Sequence, residues 1–292
     1  MLAAETDYLQ AAIALDIAVM IFGGVCGVGF LVWLSRQRRW RNPLAGLEPR
    51  AEGPSIIHLC GVFLLYISVF LVLTRLLVGG EKIAEAPVGS RIWFVVQIAE
   101  GTGKLAGAVL IVWILQRWPA FVGPRDSRLG LLTVAAVGLL GGLIITPMCA
   151  VQLQSVTIVT QWIQPDFIPP EHPVLAAVRD GELDWRGKLI LLVGAVGIAP
   201  IAEELFFRGL LLQTVWRYTR HAWIAVTLSG VAFGAIHFAQ PQAVLPLCTM
   251  GIALGYIRLR SRSLTTCIIV HAIFNGRTMV LALFFPEMIG EG

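Results

Sequence analysis

Apolar residues run through this chain in long blocks separated by short polar clusters, with little alternation inside the blocks. A helix needs about 20 predominantly apolar residues to cross a bilayer. Eight blocks meet or approach that length, at approximately residues 11–34, 55–79, 92–116, 130–153, 188–216, 222–239, 242–259 and 264–285. Ten-residue stretches of alternating polarity, the mark of membrane β-strands, are absent from the sequence. The expected fold is therefore all-α, a polytopic transmembrane helix bundle of about eight spans.

The first block is too long for a signal-peptide core and is followed by Ser35-Arg36-Gln37-Arg38-Arg39 rather than a small-residue cleavage pattern, so it reads as a retained span. The longest connection, 154–187, contains Pro165, Pro169, Pro170 and Pro173. Its amphipathic stretch 174–179 suits the membrane interface, as do Trp162 and Trp185. Residues 1–187 are read as N-terminal helices and an outer loop, and 188–285 as the functional core of one integrated membrane domain.

Composition agrees with the block pattern: of 292 residues, 57% are hydrophobic and 14% charged, against about 25% charged in soluble domains. The net charge of +4 matters less than its distribution. Arg36, Arg38, Arg39, Arg41 and Arg50 follow the first span, Arg117, Arg125 and Arg128 the third, Arg217 and Arg220 the fifth, and Arg258, Arg260 and Arg262 the seventh. The alternate loops hold Lys82, Arg91, Arg179, Arg186 and Lys188 among many acids. By the positive-inside rule both termini lie outside and the basic loops are cytoplasmic. That bias serves topology, so a lipid bilayer is the implied partner and nucleic acid is not. Cys26, Cys60, Cys149, Cys248 and Cys267 all lie in apolar segments without paired metal-ligand spacing, and read as small buried hydrophobes.

Against this background Ala202-Glu203-Glu204-Leu205-Phe206-Phe207-Arg208 stands out, because it places three charges in the middle of an apolar span. Each costs roughly 2.5–3.5 kcal/mol on insertion scales, so such residues mark function by default. Residues four apart share a helix face, so Arg208 can neutralise Glu204. Glu203 points about 100° away around the helix and has no partner in that helix. A carboxylate isolated in an apolar interior resists ionisation, which suits a general base or acid near neutral pH. Pro200 just before it loosens the backbone. The plain alternative is an ion pair that only locks helices together.

Two further i, i+4 pairs lie downstream, Phe233 with His237 and His271 with Asn275, while Gly230 and Gly234 permit close helix approach. A lone intramembrane histidine says little. Two histidines, an asparagine and a glutamate pair within three spans say much more. Among the other charges within spans, Glu100 and Lys104 are four apart and expected to pair, Arg75 can snorkel from its span end, and Arg277 points away from the Asn275 face.

The set Glu203-Glu204-x-x-x-Arg208, Phe233-x-x-x-His237 and His271-x-x-x-Asn275 resembles the three motifs of the CPBP family of intramembrane proteases, which includes the type II CAAX prenyl endopeptidases and the Abi bacteriocin-processing and immunity proteins. The resemblance covers roughly 189–283. It implies a helical bundle that hydrolyses peptide bonds of membrane-associated proteins or peptides, in the cytoplasmic membrane if the source is bacterial. It also implies that Glu203 activates water, supported by Glu204 and Arg208, that His237 holds the water, and that His271 and Asn275 stabilise the oxyanion. Metalloprotease-like chemistry is the other form the resemblance allows. Glu203, His237 and His271 are a donor set for zinc, although the H-E-x-x-H pattern of common zinc proteases is missing.

With these boundaries His237 falls near the outer end of its span and His271 nearer the inner end of the last one. Tilt, or a re-entrant stretch around Gln240-Pro241-Gln242, is needed to bring them to one depth. Two other functions compete. A non-catalytic scaffold or bacteriocin-immunity protein would have no need of all three motifs. A proton-coupled transporter also uses buried Glu and His, but the sequence shows no inverted repeat.

Overall fold

The computed structural model describes residues 2–36, 44, 46–49, 52–79, 86–118, 130–179 and 183–285. Among them the regular elements are helices: α1 (Leu2–Arg36), α2 (Ile56–Val78), α3 (Arg91–Leu115), α4 (Leu131–Ile163), α5 (Pro173–Arg179), α6 (Trp185–Thr219), α7 (Ala222–Ala235), α8 (Pro241–Ser261) and α9 (Leu264–Phe284). Helices α2, α3, α4, α6, α8 and α9 are long and apolar enough to cross a membrane, with shorter apolar segments in α1 (Ile13–Gly29) and in α7. The chain is an integral membrane protein built as a helical bundle, and every expected span has a helical counterpart.

Two boundaries differ from the expected ones. Helix α4 continues past 153 to Ile163, taking the first third of the expected outer loop with it. Helix α7 stops at Ala235 after 14 residues, a length of about 21 Å against a hydrocarbon core of about 30 Å. Pro241 opens α8, and the residue before it, Gln240, is held out of the helical region at φ −122° and ψ 78°. The intervening turn, 236–240, satisfies its own backbone through His237 N to Gly234 O (3.0 Å) and Gln240 N to His237 O (2.9 Å). The basic residues Arg38, Arg39, Arg41, Arg50, Arg125 and Arg128, and Lys82 opposite them, lie outside the described residues.

Packing crosses the expected boundary at 187. One apolar cluster joins Val62 of α2 and Ile111 and Leu115 of α3 to Leu205 and Leu210 of α6 and Leu264 of α9. Another joins Trp93 of α3 to Val178 of α5, Leu191 of α6 and Met279 of α9. Helices α7 and α8 meet backbone to backbone: a Cβ on Gly230 would lie 2.5 Å from Ile252 N, and one on Gly251 would lie 2.7 Å from Gly230 O. No side chain fits between them.

Helix α1 is fastened to the bundle by Arg277 of α9, whose Nε and Nη2 donate to the two carboxylate oxygens of Asp16 at 2.8 and 2.6 Å. That pair explains both charges without a part in the motif face. Cys149 and Cys267 are buried as expected, whereas Cys60 is exposed on α2.

Candidate functional site

Helix α6 carries the glutamate pair on a backbone that is twice widened. Pro200 has no N–H and its ring crowds the carbonyl four residues back. Just before it, 194–198 forms a π-helical turn in which Ala199 N bonds to Gly194 O, five residues earlier. A second π-helical stretch, Leu205–Leu211, comes directly after Glu204 and closes with Leu212 N on Phe207 O. Such turns insert a residue into the helix and shift the angular phase of the residues downstream. The segment between them, Ala199–Glu204, is therefore rotated relative to both flanks. Ser229 of α7 donates its hydroxyl to the Phe207 carbonyl at 3.0 Å and fixes the second widening.

Glu204 and Arg208 are completely buried and joined by Nη1–Oε1 at 2.7 Å. Arg208 also donates Nη2 to the Gly251 carbonyl of α8 at 3.2 Å, and its guanidinium lies 4.5 Å from the centre of the Phe233 ring. His271 of α9 places Nδ1 at 2.9 Å from the same Glu204 Oε1. In the neutral imidazole the carboxylate acceptor puts the proton on Nδ1 and leaves the lone pair on Nε2. That Nε2 stands 3.9 Å from Glu203 Oε2. The spacing is too long for a direct bond, and leaves both atoms able to reach one water.

His237 sits in the turn after α7, with Nδ1 at 2.9 Å from Phe233 O. A carbonyl only accepts, so Nδ1 is the donor in this bond, and Nε2 faces away from it. The Phe233 ring lies 5.3 Å from the His237 ring and 5.5 Å from the His271 ring, and spaces the two apart. The early stop of α7 and its turn thus bring His237 to the depth of His271. Asn275 donates Nδ2 to the Ala195 carbonyl at 2.8 Å, inside the first π-helical turn, which leaves its second N–H available.

Glu203 departs from expectation. It has no partner in its own helix, but Lys104 of α3 places Nζ 3.4 Å from Glu203 Oε1 and 3.0 Å from Glu100 Oε1. The premise of an isolated carboxylate does not hold, because tertiary packing supplies a cation from 99 residues away. The Glu100–Lys104 pair was visible in the sequence as two charges four apart; its contact with Glu203 was not. Tyr66 of α2 stands in the same electrostatic field. So does His172, in the segment before α5, which also feels His237. Beside it Gln242 of α8 donates to Pro170 O at 2.8 Å and ties that segment to the turn bearing His237. The only sequence signal for His172 was its place in a proline-rich loop.

A catalytic zinc ion takes three protein ligands at about 2.0–2.2 Å from each. Among the described residues no three His, Cys, Asp or Glu side chains converge in that way. Glu203 is met by Lys104 and Glu204 by Arg208. This donor set, including Glu203, His237 and His271, does not fit zinc.

Comparison with known proteins agrees with the motif reading over one part of the chain. Residues 185–277 match the family model described as type II CAAX prenyl endopeptidase Rce1-like, which bears out the resemblance over that stretch. A Bacillus subtilis (strain 168) protein, the uncharacterized YyaK, is 35% identical over 107 residues, 33% of this chain and 35% of its own length. The UPF0177 protein YaiH of Lactococcus lactis subsp. lactis (strain IL1403) is 28% identical over 92 residues, 32% of this chain and 37% of its own. The chain thus spans about a third of the length of the curated relatives it matches. No solved structure matches it significantly.

Proposed function

We propose, from the Rce1-like match of residues 185–277 and the convergence of α3, α6, α7 and α9 on one point, that the chain is an intramembrane endopeptidase. It cleaves peptide bonds of membrane-associated proteins or peptides with a water activated by Glu203. The observation that carries this reading is the 3.9 Å gap between Glu203 Oε2 and His271 Nε2. A water between them donates a hydrogen bond to each acceptor and turns a lone pair toward an incoming carbonyl carbon. Glu203 takes the proton as the C–O bond forms, then returns it to the leaving amine.

Glu204 acts through His271. By accepting from Nδ1 it fixes the tautomer that leaves Nε2 free, and Arg208 holds Glu204 in place through the 2.7 Å contact with its Oε1. This role differs from the oxyanion donor implied for His271 by resemblance, because both of its nitrogens face carboxylates. Oxyanion stabilisation falls to the second N–H of Asn275, a donor of the type worth roughly 3–4 kcal/mol. His237, whose free Nε2 can accept from the leaving amine, lines the opposite side.

The two relatives are bacterial, which supports the bacterial cytoplasmic membrane as the location. There a peptide precursor or an anchored tail is the substrate class to expect. Cleavage of a membrane-anchored peptide library by the purified chain in liposomes, read by mass spectrometry, tests the reading. Glu203→Gln keeps size and hydrogen bonding but accepts no proton. It is expected to lower the rate by roughly 10²–10⁴-fold with unchanged melting temperature. Near-parental activity in this variant refutes Glu203 as the base. A parent that cleaves no member of the library, with the three motifs bound only to a partner, replaces the protease with a scaffold or immunity protein.

A further inference from the structure

Lys104 lies on α3, outside the stretch that matches the family model, yet it is the one lysine or arginine that the described residues bring to within salt-bridge distance of Glu203. Its charge is already met within its own helix by Glu100 at 3.0 Å, so the reach to Glu203 is not needed to neutralise it. The three side chains are partly open, at 27% for Lys104, 33% for Glu100 and 16% for Glu203. They form a partly open wall of the site, in contrast to the sealed Glu204–Arg208 pair. The register of α3 is fixed next door: a Cβ on Gly103 would lie 2.9 Å from Tyr66 O and 3.1 Å from its ring. Only glycine there lets α2 and α3 close up, and that contact sets the height at which Lys104 leaves α3.

We infer that Lys104, held by Glu100, is a positioning residue that pins Glu203 Oε1 and so aims Oε2 at the water position beside His271. The inference rests on the proposed role of Glu203. Lys104 of α3, itself held by Glu100, and His271 of α9 stand beside Glu203, with His237 of the turn, His172 before α5 and Tyr66 of α2 in the same electrostatic field. Of these, Lys104 is the one held against Oε1. Without it the carboxylate rotates freely about its last torsion, and either oxygen or neither faces His271. A reacting group misplaced by about 1 Å costs on the order of 10²-fold in rate.

The test uses the full chain in liposomes and the variants Lys104→Met, Lys104→Arg and Glu100→Gln. Cleavage kcat and KM are measured beside the melting temperature. A second readout needs no activity: the rate at which a hydrophobic carbodiimide modifies Glu203, tracked by peptide mass spectrometry. Lys104→Met should lower kcat by about 10²-fold with KM within about twofold, and should speed modification of Glu203. Lys104→Arg, which can span both carboxylates, should restore most of kcat and the parental labelling rate; Glu100→Gln should fall between. Parental kcat in Lys104→Met overturns the inference, as does a loss that Lys104→Arg does not rescue. If the parent cleaves nothing, the proposed function fails while the labelling comparison still decides whether Lys104 governs Glu203. Unchanged labelling in Lys104→Met then overturns the inference on its own.

Discussion

Arg208→Ala separates the fold of the site from its chemistry. Arg208 and Glu204 are completely buried, and the substitution leaves Glu204 with the His271 Nδ1–H as its remaining partner. Removing one member of a buried pair costs about 3–5 kcal/mol, and the surviving histidine bond places this case near 3. Loss of the guanidinium from the face of Phe233, 4.5 Å from the ring centre, adds about 1–2 kcal/mol for a desolvated cation–π contact. The Gly251 carbonyl keeps its place in α8 and adds little. A total of about 4–5 kcal/mol corresponds to a fall in melting temperature of about 8–10 °C or more, taking about 2 °C per kcal/mol for a chain of this size. The assay is thermal unfolding of detergent-solubilised protein, with expression yield as a second reading. Glu204→Gln combined with Arg208→Met removes both charges and should recover most of the lost stability. It should not recover cleavage, since His271 loses its anionic partner. A melting temperature for Arg208→Ala within about 2 °C of the parent, or a double variant no better than the single one, refutes the reasoning.

The same geometry predicts other outcomes. Gly230→Val should abolish accumulation of folded protein, because its side chain would enter the backbone of α8 at Ile252; normal yield and melting temperature would show that α7 and α8 are not in backbone contact. Asn275→Ala should lower kcat by about 10²–10³-fold, the loss seen for one oxyanion donor, with KM little changed; a change confined to KM would assign it to binding. Chelation should leave cleavage intact because the donors do not converge, whereas one zinc per chain, with activity lost on its removal and regained on its return, would reverse that conclusion. A cysteine at Ser261 should resist an impermeant thiol reagent in intact cells, as the basic flank Arg258, Arg260 and Arg262 predicts; labelling there inverts the topology.

The sequence made the local part of the site readable and hid the part that depends on packing. Glu204 with Arg208 is a spacing of four on one helix, and the pair forms as that spacing implies. The π-helical turns were not legible, because Pro200 signals a disturbed helix without saying whether it kinks, breaks or widens. His237 fell inside an expected span because an apolar run 18 residues long looks like one, whereas the helix ends at Ala235 and leaves His237 in the turn. Gln240 before Pro241 leaves the helical region before α8 begins. Lys104 meets Glu203 across 99 residues, and no periodicity within one helix encodes such a meeting. The same holds for His271 with Glu204, 67 residues apart.

The abrupt end of α7 has a consequence for the surrounding lipid. A helix about 9 Å shorter than the hydrocarbon core presents a turn with exposed Ile236 and Phe238 where acyl chains would otherwise run on. Lipid accommodates a short element by compressing toward it, at a fraction of a kcal/mol per Å. A bilayer around so short an element would thin on that side and bring headgroups and their water nearer to His237. On the proposed reading, such thinning would bring hydrolytic water toward Glu203 without a pore through the protein. Turnover would then depend on the membrane as much as on the chain: bilayers of short acyl chains relieve the compression, and long-chain, sterol-stiffened ones resist it.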